Sequence, residues 1–121
     1  MDGSRVLLGA HRGAGLWLPP GGHVEPAEHP TDTARRECRE ELRLLADFAT
    51  EAPVFLTWTL TQGAPETRHV DVSLWYVLRG NARQVPDYDA TEFSDMRWFD
   101  LAELPPEAEP NLGRFAAKLG R

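Results

Sequence analysis

The chain has 121 residues, 41% of them hydrophobic, and a formal net charge of −6. That size and composition suit one globular domain spanning residues 1–121 with a core of its own. The acidity argues against a nonspecific nucleic-acid or membrane-surface binder. Cys38 is the single cysteine, so no internal disulfide can form. With no signal peptide and no apolar run long enough for a bilayer, the expectation is a cytoplasmic protein without membrane or nucleic-acid partners.

Taken in chain order, residues 5–10 read as a short strand and residues 11–15 as a Gly-rich turn carrying Arg12. Residues 16–18 are a second extended piece, stopped by Pro19 and Pro20. Residues 21–29 form a loop, and Pro30 suits the first turn of a helix, where its missing N–H costs nothing. Ala34, Cys38, Leu42 and Leu45 recur at helical spacing as an apolar stripe, with Arg36, Glu37, Glu40 and Glu41 on the opposite flank. The spacing therefore predicts an amphipathic helix that runs on through Leu44 and Leu45, with its carboxylates off the core side.

Pro53 opens a β-rich half. Residues 54–61 alternate, with Val54, Leu56, Trp58 and Leu60 on one face. Residues 62–68 are a polar turn, and residues 69–79 are the clearest strand, with Val70, Val72, Leu74, Tyr76 and Leu78 facing one way. Gly80-Asn81 marks a turn, residues 87–94 an acidic loop, and residues 96–99 a short strand. Residues 101–104 form a helical turn broken by Pro105-Pro106, and residues 111–119 a closing helix. Strands on both sides of a helix, then a terminal helix, predict a mixed sheet with helices on its faces, an α/β (α+β) fold.

The helix from Pro30 carries the most informative feature. Glu37, Glu40 and Glu41 stand at i, i+3 and i+4 and share one helical face. Like charges there repel, and a hard divalent cation, which prefers oxygen ligands, reverses that cost. The glycine pair Gly21-Gly22 lies just upstream, where backbone can approach a ligand. By itself a Glu-Glu pair on a helix is a solvated face far more often than a site.

The stretch from Gly22 to Leu44 resembles the signature of the Nudix hydrolase superfamily, the MutT-like pyrophosphohydrolases. Gly22, Glu28, Arg36, Glu37, Glu40, Glu41 and Leu44 match in register. Cys38 stands at an aliphatic position as a small apolar substitute, and Arg43 replaces a glycine. The segment at residues 96–104, with Trp98-Phe99 and Leu104, is similar to the pattern that follows the box in this family. The resemblance implies a Nudix-like α/β/α sandwich with a strand–loop–helix catalytic unit. A further strand before Arg5 is usual in the family and has no counterpart here. That predicts an exposed sheet edge or one covered by a second copy in a homodimer.

The resemblance further implies hydrolysis of a small-molecule nucleoside diphosphate linked to another moiety, such as a nucleotide, an ADP-ribose-like group or a nucleotide sugar. By analogy the Gly21 carbonyl, Glu37, Glu40 and Glu41 would hold Mg²⁺, with Mn²⁺ an alternative, while Glu28 and Arg36 brace the loop beside Gly22. A general base must take the proton from the attacking water; Glu40, Glu41 and, from the acidic loop, Glu92 are the candidates. Arg12 is a candidate phosphate contact or a plain surface arginine. His69 and Asp71 lie two apart on a strand and either read a base or ribose, bind a metal, or decorate a half-exposed face. Trp75 shares that face and is the stacking candidate among four tryptophans that otherwise default to packing. Cys38 is expected to be buried and inert. The competing function is a non-catalytic Nudix-fold nucleotide-sensing or regulatory domain, which the intact set of box glutamates disfavours. A diphosphate isomerase has no supporting feature.

Overall fold

A computed structural model describes residues 1–60 and 64–120. The elements run in the order β1 (Arg5–His11), β2 (Trp17–Leu18), α1 (Pro30–Leu42), β3 (Phe55–Leu60), β4 (Val70–Trp75), β5 (Phe93–Asp100) and α2 (Leu112–Lys118). Strands β2, β1 and β5 form an antiparallel sheet with β1 in the centre, and β3 pairs with β4 as an antiparallel hairpin. Among the described residues, the parallel component is confined to a single bridge between Trp17 and Ala108. Residues 61–63, expected as the end of a strand and the start of the polar turn, lie outside the described residues.

Alternation along β1 divides the interior in two. Val6 and Leu8 point into a cluster with Leu101, Leu112, Phe115 and Ala116, which brings α2 onto one face. Leu7 points the other way, into a cluster with Cys38, Leu42, Phe93 and Met96, which brings α1 onto the opposite face. Two helices thus cover opposite sides of the strand layer, the α/β/α arrangement expected. An apolar cavity of about 700 Å³ lies between the layers, touching Leu7, Cys38 and Leu42 on one side and Trp75, Leu112 and Phe115 on the other. Among the described residues, no helix is long and apolar enough to cross a membrane.

Strand lengths follow their partners. The strand expected at residues 96–99 is longer, Phe93–Asp100, because β1 offers a partner along its whole length. The one expected at residues 69–79 is shorter: beyond Trp75 the chain leaves β3 and pairs with residues 47–49, the Ala49 N–H donating to the Val77 carbonyl and the Arg79 N–H to that of Asp47. In the hairpin the more polar face turns inward. Thr57 is buried and accepts a hydrogen bond from Trp75 Nε1, while Phe55 and Trp75 pack on Phe115. Leu56, Trp58, Leu60, Val70, Val72 and Leu74 lie on the exposed face as cross-strand pairs, Trp58 being 69% exposed.

Helix α1 begins where expected, at Pro30, with the His29 imidazole Nδ1 accepting the Thr31 N–H. Its end is a correction to the sequence expectation. The helix stops at Leu42, and Arg43 takes the left-handed conformation (φ 52°, ψ 34°) with its N–H donating to the Arg39 carbonyl. Leu45 does not extend the apolar stripe; it is 90% exposed. Two contacts favour the stop: the Asp89 N–H donates to the Glu41 carbonyl of the last turn, and the Arg43 guanidinium pairs with Asp87 at 2.8 Å. Glu41 is the second correction, because it lies on the core side of the helix, 2% exposed.

The loop between β2 and α1 is pinned to the helix by Glu28 and Arg36. Arg36 donates from Nε to Glu28 Oε2 (3.0 Å) and from Nη2 to Glu28 Oε1 (3.1 Å), a forked pairing. Arg36 Nη2 also donates to the His23 carbonyl, and Glu28 Oε1 accepts from Thr33 Oγ1 and the Glu25 N–H. The Arg36 guanidinium, and then the Thr33 hydroxyl, hold the Glu28 carboxyl well below its ordinary value, at about 2.

Two outcomes follow from these local structures. Left-handed arginine carries about 1–2 kcal/mol of strain that glycine lacks, and an exposed ion pair returns only about 0.2–1 kcal/mol. Arg43→Gly should therefore raise stability by about 0.5–1 kcal/mol in chemical denaturation. Glu28 is depressed on folding, so its contribution is complete above the ordinary carboxylate value and lost as pH falls through about 2. The stability gap between the parent and Glu28→Gln should accordingly be constant at neutral pH and close below pH 4.5 in acid unfolding curves.

Candidate active site

The box residues converge where the Gly21-Gly22 loop, the middle of α1 and the segment before β5 meet. Glu41 is the inner member. Its Oε1 accepts the Gly21 N–H at 2.8 Å, and the Glu92 carboxyl lies close enough to act on it. Burial, with the charges of Glu92 and Glu37 adding, pushes the Glu41 carboxyl up to about 8. Glu37 is also raised by burial, against the opposing pull of Arg36. A Cβ at Gly22 would meet the Glu37 carboxylate, so any larger residue there displaces that side chain from its place in the cluster. Arg36 Nη1 reaches Glu37 Oε1 at 2.7 Å and Glu40 Oε2 at 3.4 Å, so the brace arginine also neutralises the carboxylate face. Glu40 is the exposed member.

Glu92 reaches the cluster because β1 holds the segment that carries it. The Arg12 N–H donates to the Glu92 carbonyl and Arg12 Nε to the Ala90 carbonyl. His11 Nε2 lies 3.3 Å from Glu92 Oε1. His11 and Arg12 line a cavity of about 400 Å³ together with Gly15, Trp17, Ser94 and Glu107.

Of the residues expected from the sequence, Gly21, Gly22, Glu28, Arg36, Glu37, Glu40, Glu41 and Glu92 come together here, and Arg12 is tied to the same loop. His69, Asp71 and Trp75 sit on the hairpin. His69 Nε2 pairs with Asp71 Oδ1 at 2.9 Å, and the Thr67 carbonyl, then Asp71, raise the imidazole above its ordinary value. Trp75 uses its ring in packing against Phe55 and Phe115. Cys38 is buried as expected, and burial raises its thiol, which suits an inert side chain. Sequence reasoning missed Thr33, Asp89 and His11. Thr33 stands in the first turn of α1, five residues after Glu28, a spacing that could have suggested the contact. Asp89 meets α1 through its backbone N–H, while its Oδ1 accepts from the Thr91 N–H and hydroxyl in the loop before Glu92, a local Asp-x-Thr contact that the spacing could have suggested.

The donor set has the chemistry of a hard-cation site: carboxylate oxygens, one of them buried against other carboxylates. Among the described residues, Glu41 has no ion pair of its own. Also among the described residues, no three His, Cys, Asp or Glu side chains converge at ligand spacing, and Arg36 holds Glu37 and Glu40 in this arrangement.

Comparisons with known proteins bear on the family and the fold. The family profile of the NUDIX domain matches residues 1–119. A bis(5'-nucleosyl)-tetraphosphatase [asymmetrical] from Sus scrofa is 33% identical over 110 residues, covering 81% of this chain and 65% of that protein. The Mus musculus protein of the same name is 45% identical over 53 residues, 41% of this chain and 36% of that protein. The chain thus spans between about a third and two thirds of the length of these relatives. Two solved structures share the fold. A NUDIX-family hydrolase from Clostridium perfringens has TM-score 0.72 at 20% identity, covering 99% of this chain and 91% of that one. A MutT NUDIX hydrolase from Burkholderia pseudomallei has TM-score 0.72 at 21% identity, covering 98% and 91%. With the profile matching nearly its whole length and the box assembled at the loop–helix junction, the chain belongs to the Nudix hydrolase family.

Proposed function

We propose that the protein is a divalent-cation-dependent pyrophosphohydrolase acting on a nucleoside diphosphate linked to another moiety. The observation that carries this reading is the buried Glu41 carboxyl, set between the Gly21 N–H and Glu92 with Glu37 beside it. A buried carboxylate facing other carboxylates is costly to a fold and is the arrangement that a cation and its chemistry reward. Glu37, Glu40, Glu41 and the Gly21 carbonyl are the residues proposed to hold Mg²⁺, or Mn²⁺ in its place. Held there, such an ion would supply neutralisation of the diphosphate oxygens and a more acidic coordinated water. Glu92, whose carboxyl neighbours that of Glu41, is the proposed acceptor of the water proton, with Glu40 and Glu41 the alternatives. Arg12, beside the cavity of about 400 Å³, is proposed to meet phosphate, and His69 and Asp71 to meet base or ribose, while the Trp75 ring is taken up by Phe55 and Phe115.

The relatives' name makes dinucleoside polyphosphates the first substrates to examine. The exposed apolar face of the β3–β4 hairpin supports a homodimer that covers it, and a sedimentation coefficient of a monomer at micromolar concentration would count against that assembly. Cys38 as the single, buried thiol supports a reducing cytoplasm.

In a coupled phosphate-release screen with Mg²⁺, dinucleoside polyphosphates, nucleoside triphosphates, ADP-ribose and nucleotide sugars would be compared, and at least one class should be hydrolysed in a chelator-sensitive way. A nucleotide that binds but is never cleaved would favour the sensing domain instead. Glu40→Gln and Glu41→Gln should each lower kcat by about 100-fold or more on the accepted substrate. In chelator, Glu41→Gln should melt above the parent, because the amide keeps the Gly21 hydrogen bond and removes a buried carboxylate from beside Glu92 and Glu37.

A further inference from the structure

His11 stands at the end of β1, at an irregularity in the β1–β5 ladder. Ala10 opposes Asp95, but His11 opposes Phe93, so Ser94 is an extra residue on β5. Such a bulge re-aims side chains, and bulges concentrate beside active sites. Here it sets the imidazole edge-on to the Phe93 ring at 5.6 Å and next to the Glu92 carboxyl.

The tautomer follows from the hydrogen bonds. The Ala14 N–H donates to His11 Nδ1 at 3.0 Å, so Nδ1 carries the lone pair. In the neutral ring the proton is then on Nε2, the nitrogen 3.3 Å from Glu92 Oε1. The turn after β1 thus fixes a donor aimed at Glu92, whose carboxyl also neighbours that of Glu41. The same strand end holds the Glu92 backbone through the Arg12 N–H.

We propose that His11 is a positioning residue: its Nε2–H holds the Glu92 carboxyl against Glu41 and so acts on the chemical step through Glu92. The inference rests on the reading of Glu92 as a catalytic carboxylate. Residues that orient groups at a metal centre are worth roughly 10–100-fold when removed. The role differs from that of Arg12, whose contacts to this loop reach backbone carbonyls and leave the carboxyl unaddressed.

The test uses His11→Leu, which removes the donor, and His11→Gln, whose amide N–H reaches the place of Nε2–H. Both are assayed with Mg²⁺ on the substrate turned over fastest in the screen above. His11→Leu should lose about 10-fold or more in kcat with KM unchanged, and His11→Gln should recover most of that loss. In a Glu92→Gln background the His11→Leu loss should vanish, since the two act as one unit. Imidazole ¹⁵N chemical shifts, read without substrate or metal, should place the His11 proton on Nε2 and shift when Glu92 becomes Gln. An equal loss in both backgrounds, no recovery by Gln, or a proton on Nδ1 overturns the positioning role while leaving Glu92 in place. Full activity of Glu92→Gln alone overturns the catalytic reading of Glu92, and the proposal falls with it for that distinct reason.

Discussion

The site depends on one buried carboxyl. Glu41 lies on the inner flank of α1, and three segments meet on it: the Gly21 N–H donates to its side chain, the Asp89 N–H to its backbone carbonyl, and Glu92 meets it carboxyl to carboxyl. A charged group taken out of water without a counter-ion is among the most expensive things a small fold can hold. A domain of this size has only a few kcal/mol of stability in hand. Burial, with the neighbouring Glu92 and Glu37 carboxyls, therefore pushes the Glu41 carboxyl up to about 8.

The surroundings spread that cost. Arg36 serves two masters on one guanidinium, forking onto Glu28 to lock the loop and reaching Glu37 and Glu40 to quench the helix face. Because the Arg36 and Glu28 side chains are largely shielded, at 21% and 16% exposed, their pairing counts for more than the solvent-exposed pairs Arg43–Asp87 or Arg79–Asp47. Gly22 contributes by lacking a side chain, letting the loop pass directly over Glu37. Strand β1 supplies the third support. Its middle alternates between the α1 and α2 cores, and its end grips the segment that delivers Glu92. One strand thus sets both the packing of the sandwich and the placement of the carboxylate that completes the cluster.

Legibility in the sequence tracked the range of the interaction involved. Pro30 and the Ala34–Cys38–Leu42 spacing located α1 because helical period and first-turn proline are local effects. The closing helix was equally plain, Leu112–Lys118 against an expected 111–119. The box register identified Glu28 with Arg36 before any contact was known. Arg43 misled: side-chain identity argued for continuing the helix, whereas the Asp89 N–H and the Asp87 carboxylate, more than forty residues away, favour the stop. Alternation in β3 and β4 marked two faces without saying which lies inward. Thr57 faces in because Trp75 gives its hydroxyl a partner there, and the apolar pairs face out.

What the sequence determined by itself was the chemistry of the donors and their order along one helix, since those follow from residue type and a 3.6-residue period. It determined the family for the same reason: the box is a local register of glycine, arginine and glutamates. Only the tertiary structure decided which glutamate is buried, that Glu92 reaches it from about fifty residues away, and that His11 meets Glu92 through a bulge. Burial and long-range pairing are set by how β1, α1 and β5 pack together, and no local pattern of residues carries that information.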